Sequence, residues 1–187
     1  MATRWQALFA DLEGQAAALD TAERAVEVEE RTRIEIGRAR LLDRLRPAVG
    51  AIVRLRCIGD DGVTGRLTCV GPDWLLVVDE RGREAVAVTA AVISVSGLGR
   101  LSAVPESESV VESRLGLRHT LRGIARDRSA VRISVIDGTA IDGTIDRLGA
   151  DFVEVAQHAA GELRRRDQVR EVALVPLSAL AVVRRST

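Results

Sequence analysis

The sequence has no lysine and no tyrosine, and it contains only two cysteines, two tryptophans and two phenylalanines. Its 187 residues carry 27 basic and 27 acidic side chains, so the formal net charge is zero. The whole molecule therefore lacks the strong positive field that favours nucleic-acid binding. Because 47% of the residues are hydrophobic, the composition excludes a disordered chain, and the scarcity of aromatics predicts aliphatic cores.

Long apolar runs are also missing. None reaches the roughly 18 to 20 residues needed to cross a bilayer, and the N-terminus lacks the basic start and apolar run of a signal peptide. We therefore expect a cytoplasmic protein that does not enter a membrane. Cys57 and Cys69 are too few for a disulfide framework and have no further ligands at zinc-site spacing, so both are expected to be packing residues.

Residues that carry chemistry are isolated from one another. His119 and His158 have no nucleophile, base or metal ligand at a recognisable spacing, and each is expected to be a surface or interface histidine. Six aspartates lie mostly at predicted turns, where Asp caps the backbone: Asp60, Asp61, Asp137, Asp142, Asp146 and Asp151. The sequence thus predicts no enzyme, no catalytic residue, no cofactor and no metal site.

The first 46 residues have the composition of a helix. They are rich in Ala, Leu, Glu and Arg, and Pro47 ends the segment. Apolar residues at alternating spacings of three and four, with Ala22 among them and Gln15 at one expected apolar position, form a coiled-coil-like stripe. Its candidate interface residues are Trp5, Leu8, Leu12, Leu19 and Val26. This stripe either meets another chain or a second copy of the same helix, or folds back over the rest of the protein.

The periodicity changes after Pro47. Val53, Leu55 and Cys57 alternate with polar residues, and the alternation resumes after a polar turn at residues 59–62, which predicts a β-hairpin. The same pattern returns with an offset of 78 positions and predicts an internal duplication. Corresponding positions are Val53 and Val131, Gly65 and Gly143, Gly71 and Gly149, and Trp74 and Phe152.

Two pairs of repeated residues have a physical role. Gly65 and Gly143 fall in the middle of strands, where a missing side chain allows a bend or the close approach of another backbone. Trp74 and Phe152 either fill the core of each unit or form a ligand platform. The shortage of other large side chains favours the core.

Each repeat resembles the first half of the Sm and Sm-like fold. The resemblance is carried by a leading helix, a strand with Val131, Ile133 and Val135, the Asp137-Gly138 turn and the following Gly143-x-Ile145, and it covers both repeats. It implies two tandem five-stranded small β-barrels, in a family whose members are typically ring-forming RNA binders.

The residues through which that family reads bases are not matched. The position of its base-reading Asn falls near Leu75 in the first copy and Val153 in the second. Its closing Arg-Gly pair corresponds to Ser96-Gly97 and to Arg184-Arg185. The resemblance therefore implies the fold without the family's base-binding site.

These observations predict an α+β chain with four segments. Residues 1–46 form an N-terminal amphipathic helix, 47–98 a first small barrel, 99–128 a linker and a helix from Glu106 to Arg126, and 129–187 a second small barrel. Each barrel is thus preceded by a helix.

Arginine is unevenly distributed along this chain. Residues 31 to 56 carry eight Arg against two acids, and two later stretches are also Arg-rich. Each is either a solvated face or a phosphate-binding patch, and the candidate contacts are Arg118, Arg122, Arg126, Arg164, Arg165 and Arg166. We therefore expect a non-enzymatic interaction protein that uses its helix for oligomerisation or docking and its barrels for partner binding. The alternative is an RNA- or DNA-binding regulatory protein.

Overall fold

The structure is a computed structural model that describes residues 37–99, 115–159 and 169–186. The chain divides into a unit Met1–Arg40, of which residues 37–40 are described, and a compact unit Leu41–Thr187 that holds every element named below. The predicted N-terminal interface lies outside the described residues: Trp5, Leu8, Leu12, Leu19 and Val26.

The first half of the compact unit, residues 41–99, contains one short helix and five strands. In chain order these are α1 (Leu41–Leu45), a 3-10 helix (Arg46–Ala48), β1 (Ile52–Cys57), β2 (Asp60–Val70), β3 (Trp74–Val78), β4 (Glu84–Val88), a 3-10 helix (Thr89–Ala91) and β5 (Val92–Ser96). In β1, Val53, Leu55 and Cys57 are buried and the residues between them exposed. The predicted hairpin of β1 and β2 is confirmed.

The second half, residues 115–186, repeats this order. It contains α2 (Leu117–Arg126), β6 (Ala130–Val135), β7 (Ala140–Leu148), β8 (Phe152–Gln157), β9 (Glu171–Pro176), a 3-10 helix (Leu177–Ala179) and β10 (Leu180–Arg185). β2 and β7 have a register shift at the same repeat position, between Leu67 and Cys69 and between Ile145 and Arg147. The duplication seen in the sequence is therefore present in the backbone.

All ten strands form one antiparallel sheet in the order β5-β1-β2-β3-β4-β10-β6-β7-β8-β9. The prediction of two tandem five-stranded barrels, and with it the resemblance to the Sm-like family, is wrong. The reason is that β4 and β10 are buried and apolar, and they hydrogen-bond to each other across the boundary between the halves. The edge of β4 therefore pairs with β10 of the other half and not with β5 of its own half, as closure of a five-stranded barrel would require.

The predicted long helices are also wrong within the described residues. Residues 39–40 are not helical and α1 spans five residues, so no continuous helix runs up to Pro47. Gly37, two residues before this break, lowers the helix propensity of the segment. The second helix begins at Leu117, where the backbone N–H donates to Oδ1 of Asp73 at 2.8 Å. The compact unit is mainly β rather than α+β.

The core is aliphatic, as predicted. Its fully buried large side chains include Leu55, Leu67, Leu75, Ile133 and Ile145. The predicted close approach at the mid-strand glycines is confirmed, because a Cβ at Gly65 would overlap the Val78 carbonyl oxygen and one at Gly143 the Ala156 carbonyl oxygen. Only a residue without a side chain fits at either position.

Candidate functional site

The two halves meet at the centre of the sheet. Val86 of β4 lies opposite Val183 of β10, and Ala87 lies opposite Val182. None of these four side chains is more than 4% exposed. We refer to this pairing of residues 85–87 with residues 182–184 as the central junction. At this junction the apolar edges of β4 and β10 cover each other.

A buried ion pair bridges the halves beside the central junction. Asp60, at the start of β2, accepts hydrogen bonds from both terminal nitrogens of Arg184, at 2.5 and 2.6 Å. Ser134 of β6 donates to the same carboxylate at 2.6 Å, and the Gly62 N–H donates at 2.8 Å. The Asp60 side chain is 4% exposed and that of Arg184 30%. A bidentate pair with further donors keeps the buried carboxylate and the partly buried guanidinium hydrogen-bonded.

This geometry determines the charge state of the pair. Burial alone raises the pKa of Asp60, because a carboxylate loses hydration there. The hydrogen bonds from Arg184, Ser134 and the Gly62 N–H act in the opposite direction and prevail, together with the Arg184 charge, so the pKa is lowered to about 2. The hydrogen bonds to Asp60 in turn raise the pKa of Arg184. Both groups are charged at neutral pH.

The turn before β2 also touches the second half through its backbone. Gly59 has a φ of +67°, and a Cβ there would overlap the carbonyl oxygen of Val135. Glycine is required at this position for its left-handed backbone and for the close contact. The halves are therefore joined by strand pairing, an ion pair and a direct backbone contact.

The sheet ends on β5 and β9. Within the part of the chain that the structure describes, β5 pairs only with β1 and β9 only with β8. Large apolar side chains are exposed on both strands: Ile93 is 58% exposed on β5, and Val172 and Leu174 are 50% and 65% exposed on β9. An edge strand with exposed apolar side chains can accept a further strand.

Three of the arginines predicted to contact phosphate form a row on α2. Arg118, Arg122 and Arg126 recur every four residues, so they share one face of the helix, and all three are exposed. Leu117 and Leu121 are buried against the sheet. The row therefore faces solvent. Residues 164–166, with the other three candidate arginines, lie outside the described residues.

A groove of about 460 Å³ beside the central junction also contains arginines. Each of them contacts an acid, with nitrogen to oxygen distances of 2.7 Å for Arg83 to Asp79, 3.6 Å for Arg132 to Asp142 and 3.1 Å for Arg185 to Glu84. These acids offset the positive charge of the groove. The arrangement favours a structural role over an anion site.

The two histidines differ from each other. His119 is exposed, as expected of a surface histidine, whereas His158 does not lie at the surface of the chain. His158 is 3% exposed, and its Nε2 lies 2.9 Å from the Thr144 hydroxyl. Among the described residues no group of three His, Cys, Asp or Glu side chains is placed to hold a metal ion.

Trp74, Cys57 and Cys69 follow the packing interpretation, whereas Phe152 does not belong to the hydrophobic core. Trp74 is 7% exposed and its Nε1 donates to the Leu115 carbonyl at 2.7 Å, while Phe152 is half-buried. Cys57 is buried, and this burial raises the pKa of its thiol to about 11. The sequence identified Asp60 only as a turn residue and missed its pairing with Arg184. The signal was the difference between the repeats, which have Gly138 and Ser96 at the corresponding positions.

Comparison with known proteins does not assign the chain to a family. No protein-family model matches the sequence, and a search of curated proteins gave no significant match. Among the described residues, no helix has the length and apolar character required to cross a membrane.

Proposed function

We propose that this chain is a non-enzymatic interaction protein whose outer strands, β5 and β9, bind protein chains by extending the sheet. The observation that carries the proposal is the exposure of Ile93, Val172 and Leu174 on strands whose outer sides have no partner strand within the described residues. Strand addition combines main-chain hydrogen bonds with burial of alternate side chains, and both are offered here.

The interior of the molecule supports the same mode of binding. At the central junction, strands of similar composition pair and exclude water from Val86 and Val183. The pairing brings apolar strand edges together in antiparallel register. An added strand at β5 or β9 would cover Ile93 or Leu174 in the same way.

The proposal is tested by capture experiments with the full chain. Immobilised wild-type protein, Ile93→Arg and Leu174→Arg are compared for the proteins they retain from cell extract, with Ile52→Arg as the matched control. Ile52 is 55% exposed but lies on β1, inside the sheet order. We expect each edge variant to lose a set of bound proteins that the control retains. Identical sets for all four proteins would contradict the proposal.

Two expectations from the sequence remain part of this proposal. The apolar stripe that includes Leu8 and Leu12 is a second predicted contact, and the full chain with both residues changed to Glu tests it by loss of bound protein. The second expectation is a cytoplasmic location, where the thiols of Cys57 and Cys69, neither of which is in a disulfide, would remain reduced. Fractionation of cells tests this location.

The exposed arginine row on α2 favours a second candidate function. Arg118, Arg122 and Arg126 present three cations on one solvent-facing surface, which suits phosphate contacts without base reading. Fluorescence anisotropy with duplex DNA and single-stranded RNA at low and moderate salt tests this candidate. The variant with all three changed to Gln should bind more weakly and with a flatter salt dependence. An unchanged salt dependence would exclude the row as the site.

A further inference from the structure

The repeat gives each outer strand a counterpart at the central junction. β3 pairs with β4 and β8 with β9 in matching register, with Trp74 opposite Val88 and Phe152 opposite Pro176. β9 is therefore the second half's counterpart of β4. β5 pairs with β1 as β10 pairs with β6, so β5 is the first half's counterpart of β10. Each of the two strands that pair at the central junction therefore has a counterpart at an outer edge of the sheet.

Corresponding residues differ in exposure. Val86 on β4 is 4% exposed, whereas its counterpart on β9, Leu174, is 65% exposed. Ala181 on β10 is 0% exposed, whereas its counterpart on β5, Ile93, is 58% exposed. The same apolar positions are covered inside the chain and open at the sheet edges. Within the described residues, each outer strand therefore has the surface of the central junction without the strand that would cover it.

Charged residues beside the two outer strands are complementary. At the central junction Asp60 of the first half contacts Ser134 of the second half. The counterpart of Ser134 is Arg56, and the counterpart of Asp60 is Gly138, which directly follows Asp137. Arg56 and Asp137 are both exposed. If β5 of one copy lay beside β9 of another, this arginine and this aspartate would approach each other.

We propose that the partner of these edges is a second copy of the chain, bound head to tail, with β5 of one copy pairing with β9 of the next and Arg56 facing Asp137. The inference rests on the proposed function, because it identifies the chain that binds the outer strands. The register of the central junction places Val95 opposite Leu174 and Ser94 opposite Val175. Such a contact joins two different surfaces, so its repetition produces a closed ring or a filament.

Mixing two blocked variants tests the direction of the contact. Sedimentation velocity of the full-length wild type should show association that increases with concentration. Ile93→Arg blocks β5 and Leu174→Arg blocks β9, so each variant alone should be monomeric. An equimolar mixture should form a one-to-one dimer, because one variant retains β9 and the other retains β5. A mixture that remains monomeric, or single variants that assemble like the wild type, would overturn the proposal.

Charge exchange tests the residue pair. Arg56→Asp and Asp137→Arg should each weaken self-association roughly tenfold, and the two changes in one chain should restore it. Asp137→Asn serves as a milder variant, because its amide oxygen can still accept the hydrogen bond from the Thr139 N–H. It should weaken association without restoration by Arg56→Asp. Additive losses in the double exchange would show that the residues do not meet.

The inference and the proposed function can fail separately. A wild type that is monomeric at every concentration, with bound proteins that Leu174→Arg loses, would leave the outer strands as binding sites for a different protein. The test has a third outcome, in which residues 1–36 of the same chain occupy one edge. In that case the wild type would be monomeric, and hydrogen exchange would show protected amides on that strand. Either result overturns self-association.

Discussion

The two halves of the sheet have the same backbone plan but different residues where they meet. Both have a mid-strand glycine, the same register shift and a 3-10 helix before the last strand. Only the first half supplies the acid of the ion pair, Asp60, and only the second supplies Arg184. Their counterparts are Gly138 and Ser96. The apolar and glycine pattern thus determines the plan of a half, whereas a few side chains determine which edges join within the chain.

The largest expected effect is the loss of stability on placing a Cβ at a mid-strand glycine, and it tests whether the two halves unfold as one cooperative unit. Gly65→Ala and Gly143→Ala each place a Cβ against a backbone carbonyl of the neighbouring strand. We expect either change to lower the free energy of unfolding by about 3 to 5 kcal/mol and to shift one common transition. Urea unfolding followed by circular dichroism measures this.

A control variant is available in α2. Gly123→Ala introduces a Cβ that meets no atom within 4 Å, so it should leave the transition unchanged or raise it slightly. Two separate transitions, with only one shifted by each glycine change, would show that the halves unfold independently.

The next effect concerns the residue that distinguishes the halves most clearly. Asp60→Asn keeps the size of the side chain but removes the charge that pairs with Arg184. We expect a loss of about 2 to 3 kcal/mol in the free energy of unfolding, because Arg184 is left partly buried without its counter-charge. Asp137→Asn, at the exposed turn of the second half, is the matched control and should change stability much less. Equal effects would mean that the ion pair adds nothing to the junction.

The pH dependence of stability should report the charge of Asp60. The pKa of Asp60 is lowered from its ordinary value of 3.8 to about 2, so its contribution is present above pH 3.8 and is lost as the pH falls through 2. This shift corresponds to about 2 kcal/mol. The stability difference between the wild type and Asp60→Asn should therefore shrink between about pH 4 and pH 2. A difference that stays constant in acid would contradict the assigned charge state.

The smallest expected effect is that of a substitution that makes the first half more like the second. Trp74→Phe gives it the aromatic residue found at position 152, and removes the donor that binds the Leu115 carbonyl. The expected loss is about 1 kcal/mol, the usual contribution of one hydrogen bond. Trp5→Phe, outside the described residues, is the control for loss of tryptophan. A loss no larger than that of the control would mean that this hydrogen bond does not stabilise the compact unit.

Local features of this fold could be predicted from the sequence. Alternation around Val53 and Leu55 indicated the hairpin, and the spacing of Gly65 and Gly143 indicated the close backbone contacts. These signals depend on neighbours in sequence or on the adjacent strand. The aliphatic core could be predicted from composition alone, because aromatic residues are scarce.

Pairings between distant residues could not be predicted in the same way. Val86 and Val183 each belong to an apolar strand, but the periodicity of one strand does not indicate which other strand pairs with it. Two closed barrels and one continuous sheet satisfy the same alternation. The contact of His158 with Thr144 was missed because a single histidine has no pattern. Asp60 was assigned to a turn because Asp commonly caps turns, and it does accept the Gly62 N–H there, but its pairing with Arg184 leaves no local signal.

The position of β10 has a consequence for protein synthesis. Of the ten strands it is made last, yet it lies at the centre of the sheet between β4 and β6. Until residues 180–185 have left the ribosome, two apolar edges in the middle of the nascent molecule are open at the same time. The last strand to be synthesised closes both, so the growing chain is most exposed to aggregation just before that strand emerges.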